Sequence, residues 1–272
     1  MKEYDKYLKL LKEKYHTKHS VDRVIINLNA IMNLPKGSEH FMSDLHGEYD
    51  AFYHIINNCS GVIREKVAML YGDELTVYEQ QELCTLIYYP REKLSILMDE
   101  NKVNDEWYRN VLDQLIQIAK LLSSKYTRSK VRKAMPVDFA YIIDELIHAQ
   151  KDEDDNRSVY HRQIMETILS LHNGDEFLVA LTDLIKRLAV DHLHILGDIY
   201  DRGAHADKIL DLLMEHHGVD IQWGNHDILW MGAFCGNPVC MALVVRNNFK
   251  YKALSILENG FGIGLRFLIQ FA

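Results

Sequence analysis

Apolar residues along this chain follow two different rules. Over most of its length they recur every three or four positions, the period of an amphipathic helix. At three places they gather instead into short runs, and each run ends in a polar loop. Tyr4, Tyr7, Leu8, Leu11 and Tyr15 keep the helical period, and Val24, Ile25, Leu28 and Ile31 keep it again. Residues 2–33 therefore read as one or two amphipathic helices, with Ser20 and Asp22 as the cap between them. Leu34-Pro35-Lys36-Gly37 ends that unit, because proline and glycine both oppose helix continuation. From 62 to 190 nearly every stretch is helical by period. Thr76 and Glu79 have the spacing of a capping box. Val111, Leu112, Leu115, Ile116, Ala119 and Leu122 form one apolar stripe. Met135-Pro136 reads as the start of a helix running to about Gln150, with proline in its first turn. The charged break 151–156 follows, then helices over 158–171 and 175–189 separated by Asn173-Gly174.

The short apolar runs read as strands. His40 to Ser43 is the first, Asp191 to Leu196 the second and Val219 to Trp223 the third. Between the last two, Ala206 to His217 is a crossover helix closed by Gly218, an order that implies a parallel pair with a right-handed crossover. After Asp227 the chain is apolar and helical to its apolar end, which suggests a chain cut within a larger fold. The fold class is α/β. Residues 1–60 carry a helical start and the first loop of the core, 61–190 a helical insertion or cap, and 191–272 the continuation of the core.

Composition narrows the function. At 272 residues and 48% hydrophobic content the chain can bury a sizeable core. A net charge of -8 argues against a nucleic-acid coat. No apolar run approaches the roughly 18 residues that a membrane span requires. Cys59, Cys84, Cys235 and Cys240 have no CxxC spacing, so neither a zinc knuckle nor a redox motif is indicated, and scattered thiols fit the cytoplasm. Cys235 and Cys240 read as core thiols, and Trp223 and Trp230 as packing residues.

The candidate chemistry lies in the three loops: Ser43-Asp-Leu-His-Gly-Glu48, Gly197-Asp-Ile-Tyr-Asp-Arg-Gly203 and Gly224-Asn-His-Asp227. Open α/β folds bind their ligands at strand ends of this kind. Asp44 and His46, two residues apart, can face one side and clamp one metal ion. Asp198 can bridge two ions, and Asn225 offers an amide oxygen to the second. Carboxylate, imidazole and amide ligands suit Mn, Fe or Zn rather than a thiolate metal. Two ions about 3.5–4 Å apart are suited to in-line displacement at phosphorus. Arg202 can grip phosphate with its planar fork. His226 can protonate the leaving alkoxide, oriented by Asp201. Taken singly, each loop reads as a turn or a helix cap. His192 and His194 read as strand residues, and His216-His217 as cations favouring a helix dipole. Asp50, His54 and His205 lie close enough to serve as supporting groups.

Asp44-Leu-His46, Gly197-Asp-Ile-Tyr-Asp-Arg-Gly203 and Gly224-Asn-His-Asp227 resemble the calcineurin-like binuclear metallophosphoesterases. With Ser43 to Phe52, the helical insertion and His194 to Gly203 added, the chain looks like the class III, Firmicutes-type fructose-1,6-bisphosphatases. That resemblance implies a calcineurin-like sheet core with a large helical insertion. It implies hydrolysis of the 1-phosphate of fructose 1,6-bisphosphate in gluconeogenesis with two Mn²⁺ ions; Fe, Co or Zn accept the same ligands. It gives Asp44 and His46 to the first metal, Asp198 to the bridge and Asn225 to the second metal, with His226 and Asp201 as the acid dyad and Arg202 on phosphate. The family pattern continues with further histidine ligands, yet no histidine follows His226, so the reading expects an N-terminal portion of such an enzyme. The partner implied is a sugar phosphate, with neither nucleic acid nor membrane, and oligomeric state is left open. Two other readings stand beside it: a superfamily phosphoesterase acting on phosphoprotein or nucleotide, and a non-catalytic metal-binding remnant.

Overall fold

The computed structural model describes residues 2–149 and 155–271. The centre of the charged break, 151–154, lies outside the described residues. Three strands form one parallel sheet in the order β1 (Glu39–Met42), β2 (His192–Ile195), β3 (Val219–Ile221). The register pairs Glu39 with His192, Met42 with Ile195, and His194 with Asp220. The strands are shorter than the apolar runs suggested. Leu196 and Trp223 have left the ladder and are 45% and 66% exposed, so Trp223 is not a packing residue here. Alternation gives the sheet two unlike faces. Leu193 and Ile195 point into a core shared with Leu45, Phe52, Ile209 and Leu213, under the helices Tyr49–Asn58 and Ala206–Glu215. His192 and His194 point the other way and are only half-buried.

The long connection from β1 to β2 contains a separate helical core. Its centre is the helix Gly174–Ala189, which buries Phe177, Leu178, Leu181, Leu184, Ile185 and Leu188 and packs along the helix Asp105–Ser123. The expected stripe from Val111 to Leu122 is buried against it throughout. The Thr76–Glu79 box is formed: Thr76 Oγ1 accepts the Glu79 N–H at 3.3 Å, and Glu79 accepts the Thr76 N–H at 2.8 Å. No helix among the described residues is long and apolar enough to cross a membrane.

Several local expectations fail for identifiable reasons. The first two helices are Lys2–Lys14 and Lys18–Ile31, and the cap between them is Thr17, not Ser20 with Asp22. Thr17 has extended backbone and its hydroxyl accepts the Ser20 N–H, so Ser20 is the third helical residue. The apolar stripes of these helices remain largely uncovered; Ile25 and Leu28 are 50% and 53% exposed. Pro136 keeps extended backbone and a 3-10 turn, Val137–Phe139, precedes the helix Ala140–Ile147, which ends before Gln150. After Asp227 the chain is not one helix. Asn225–Phe234 and Pro238–Tyr251 are divided at Gly236, whose φ is +86°, and a π turn at Ile256–Gly260 precedes a last helix at Arg266–Phe271. Cys235 is exposed and Cys240 half-buried, so neither is a core thiol.

Candidate metal centre at the strand ends

The three loops meet because the sheet is parallel, so all three strands end on one side. Ladder-like backbone bonds continue past the strands: Leu196 N–H to Met42 carbonyl at 2.7 Å, His46 N–H to Asp198 carbonyl at 2.8 Å, and Gly47 N–H to Ile199 carbonyl at 2.8 Å. Glycines permit this closeness. A Cβ on Gly47 would stand 2.5 Å from the Gly203 carbonyl oxygen, and one on Gly197 would overlap the Gly224 backbone. Gly197 also has φ +100°, which side-chain-bearing residues rarely adopt.

The loops are strained at the candidate residues. Asp44, His46, Asp198, Asp201 and Arg202 have φ of +55°, +47°, +56°, +81° and +70°. Each left-handed non-glycine residue costs on the order of 1–3 kcal/mol, and such costs gather at functional sites. The surrounding structure holds them through one carboxylate. Asp227 is buried, and its two oxygens accept four backbone N–H groups: Asp198 at 2.7 Å, Ile199 at 2.9 Å, Tyr200 at 3.2 Å and Gly224 at 2.8 Å. It thus sews the second loop to the third. Sequence reasoning quoted Asp227 without giving it this work. The available signal was an acidic residue at the third position of a helix preceded by glycine, the acceptor half of a capping box. Tyr200 adds an apolar clamp, stacking on Trp230 at 4.5 Å, which in turn meets Phe261 at 5.3 Å. Burial and the neighbouring Asp227 and Asp207 push the Tyr200 phenol up to about 12, so it stays neutral.

Ligand atoms of Asp44, His46 and Asp198 lie within 4.8 Å of one another. Asp44 is 68% exposed at its side chain, and its Oδ1 is 3.6 Å from His46 Nε2. His46 is buried, and its Nδ1 faces the Tyr200 carbonyl at 3.3 Å, which puts the ring proton there and leaves Nε2 as a lone-pair donor. Asp198 Oδ1 accepts the His226 N–H at 3.2 Å, bringing the third loop alongside. His226 lies edge-on to His46 with ring centres 5.6 Å apart. Its Nδ1 is 2.7 Å from Asp201 Oδ2 without hydrogen-bond alignment, and Nδ1 and Asp201 Oδ1 are left without a hydrogen-bond partner. Asp201 Oδ2 also accepts from Asn247 Nδ2 at 3.3 Å.

Five of the seven expected site residues are thus in mutual contact: Asp44, His46, Asp198, Asp201 and His226. Asn225 and Arg202 are brought to the same rim by their chain neighbours, but both are exposed and, among the described residues, their side chains make no hydrogen bond or ion pair. The donor set of two carboxylates and an imidazole fits a divalent ion of the Mn, Fe or Zn kind. Of the supporting candidates, His205 donates its backbone N–H to the Gly47 carbonyl at 3.2 Å, whereas the His54 ring turns to the Tyr89 hydroxyl at 2.6 Å. His216 and His217 do not act as dipole cations. Burial, then the adjacent His217, pushes His216 down to about 4, and burial lowers His217 as well.

A family model described as Firmicute fructose-1,6-bisphosphatase matches residues 6–272. The chain is 52% identical over 282 residues to a class 3 fructose-1,6-bisphosphatase of Clostridium beijerinckii, a match spanning 100% of this chain and 42% of that protein. Identity is 53% over 267 residues to the class 3 enzyme of Listeria monocytogenes serotype 4b, covering 98% and 41%. It is 52% to that of Clostridium acetobutylicum, covering 98% and 40%. The chain spans about two fifths of the length of these curated relatives. No solved structure gives a significant match.

Proposed function

The chain belongs to the Firmicute fructose-1,6-bisphosphatase family, and on that premise we propose that it hydrolyses fructose 1,6-bisphosphate to fructose 6-phosphate and phosphate. The single observation that carries this reading is the convergence of Asp44, His46 and Asp198 at adjacent parallel strand ends, with His226 beside them. The sheet is read as part of a calcineurin-like metallophosphoesterase core formed by 1–60 and 191–272, with 61–190 as an inserted cap. The setting is gluconeogenesis in the cytoplasm.

Asp44 and His46 would hold one divalent ion, Asp198 would bridge and Asn225 would serve a second, with Mn²⁺ as the preferred metal. When bound, such ions lower the pKa of water and offset charge on phosphoryl oxygens. The chain's own residues do the rest. Arg202, exposed at the rim, binds a phosphate oxygen pair through its planar fork. Asp201, buried beside the His226 Nδ1, accepts the Nδ1–H of the imidazolium and fixes the ring. The second ring proton, on Nε2, passes to the leaving sugar oxygen, which leaves a neutral imidazole with its proton on Nδ1.

The test is phosphate release from fructose 1,6-bisphosphate by the 272-residue chain with Mn²⁺. Release should fall by about 10²–10⁴-fold in His226→Ala, the usual range for a lost acid catalyst, and it should also fall in Asn225→Ala. A chain that holds Mn²⁺ yet releases no phosphate, or a His226→Ala chain of undiminished rate, overturns the reading.

A further inference from the structure

The face of the sheet turned away from the helices carries a second constellation, which shares no residue with the loops. Strand alternation brings His192 and His194 to that face, and the β2–β3 register sets Asp220 directly beside His194. Ligand atoms of His192, His194 and Asp220 lie within 4.8 Å of one another. His194 Nδ1 is 2.8 Å from Asp220 Oδ1, and His192 Nε2 is 3.5 Å from Asp220 Oδ2. Ligands around a tetrahedral ion with bonds of ~2.1 Å stand about 3.4 Å apart, so the trio needs only small adjustments to take one.

A further observation concerns the other ring nitrogen. His194 Nε2 is buried and has no hydrogen-bond partner. The Glu39 carboxylate, on the opposite neighbouring strand, lies 3.9 Å away. If Nδ1 binds a metal, the ring proton must sit on Nε2, and a slight movement of Glu39 gives that proton its acceptor. Histidine ligands are ordinarily held by a carboxylate in this way. Phe41, paired with His194 across β1 and β2, stacks on the ring at 4.4 Å and fixes its plane. An isolated hydrogen-bonded pair does not account for His192 Nε2 at 3.5 Å from the same carboxylate or for the unpartnered His194 Nε2.

We propose that His192, His194 and Asp220 form a second metal site for a divalent transition ion of the zinc or cobalt type, with Glu39 orienting His194. Two imidazoles and one carboxylate leave a fourth position to water. The trio has no ligand in common with Asp44, His46 and Asp198, so this ion is distinct from those at the loops. It clamps β2 to β3, the two strands whose ends carry the second and third loops.

The experiment uses the 272-residue chain freed of metal by chelation and titrated with Co²⁺ alone. The site predicts an ion with the strong visible bands of low-coordinate cobalt that persists in His46→Ala. It predicts a rise in melting temperature of about 5 °C when free Co²⁺ exceeds Kd a hundredfold. Asp220→Asn and His192→Gln should each remove one bound ion per chain together with those bands. Glu39→Gln should weaken binding about tenfold while the bands remain. Asp220 is 60% exposed at its side chain, so its variant keeps the fold if the others do not. The same cobalt stoichiometry and bands in wild type and Asp220→Asn would overturn the proposal.

Discussion

Replacing Asp227 by asparagine should damage the protein more than removing any charge at the proposed metal site. Asp227 is 5% exposed, and each of its oxygens serves two backbone donors: Asp198 and Gly224 on Oδ2, Ile199 and Tyr200 on Oδ1. An asparagine keeps one oxygen and turns an amide NH₂ toward the other donor pair. Two N–H groups then face a donor, whichever way the amide is flipped. A hydrogen bond to a charged group contributes about 1.5–3 kcal/mol, and a buried donor left unpaired carries its own desolvation penalty. Allowing for water reaching one of the two donors, the loss should be about 3–4 kcal/mol. Asp44→Asn changes an exposed carboxylate and should cost under ~1 kcal/mol. The assay is urea unfolding of both variants with the m-value fitted, and amide exchange at Ile199 and Tyr200 serves as a local readout. The exchange of these two amides should accelerate in Asp227→Asn even under native conditions. A midpoint and exchange rates equal to those of wild type would refute the claim that this carboxylate holds the strained loop.

Three further outcomes follow from the same geometry. Gly197→Ala places a Cβ against the Gly224 backbone at φ +100° and should cost about 2–3 kcal/mol with loss of metal binding at the loops, measured by unfolding and by Mn²⁺ stoichiometry. Leu115→Ala, a fully buried site in the helical core, should cost about 3 kcal/mol by urea unfolding and leave that stoichiometry unchanged. His216 is held at about 4 when folded, whereas the unfolded chain protonates near 6.5, so the unfolded state binds the extra proton between these values. Stability contributed at pH 7 is therefore lost as pH falls from about 6.5 to about 4; with the ring only half-buried the loss is about 1–2 kcal/mol, and His216→Asn should flatten that part of the stability–pH curve.

What the sequence made legible is the part governed by short-range rules. The Thr76–Glu79 box, the Val111–Leu122 stripe and the three strand-then-loop runs depend on a few neighbouring residues, and each appears in the structure. Local reading was weakest where a competing local partner existed. Ser20 looked like a cap until Thr17, three residues earlier, took that position with Ser20 as its reciprocal acceptor. Exposure was not legible at all for Trp223 and Cys235, since nothing in their spacing says whether a neighbouring element covers them.

The deeper gap concerns register. Asp220 differs from many exposed strand carboxylates only in standing opposite His194, and that pairing is fixed by the β2–β3 ladder. Period-2 alternation told which residues of β2 share a face, but not what the neighbouring strand sets beside them. The same limit hid Asp227. Its four donors come from Gly224 and from a loop about 28 residues earlier, and only the juxtaposition of strand ends brings them to one carboxylate. The loops were nevertheless recognisable because their own residues are unusual at strand ends: Asp44, His46, Asp198 and Asp201 accept left-handed backbone that β-branched residues resist. Arg202 has no such tolerance, so its +70° φ must be imposed by its surroundings, by Asp201 buried before it and Gly203 N–H bonded to the His46 carbonyl after it. The sheet register thus does two jobs at once: it aligns the strand ends that carry the loops, and on its open face it aligns the imidazoles with Asp220.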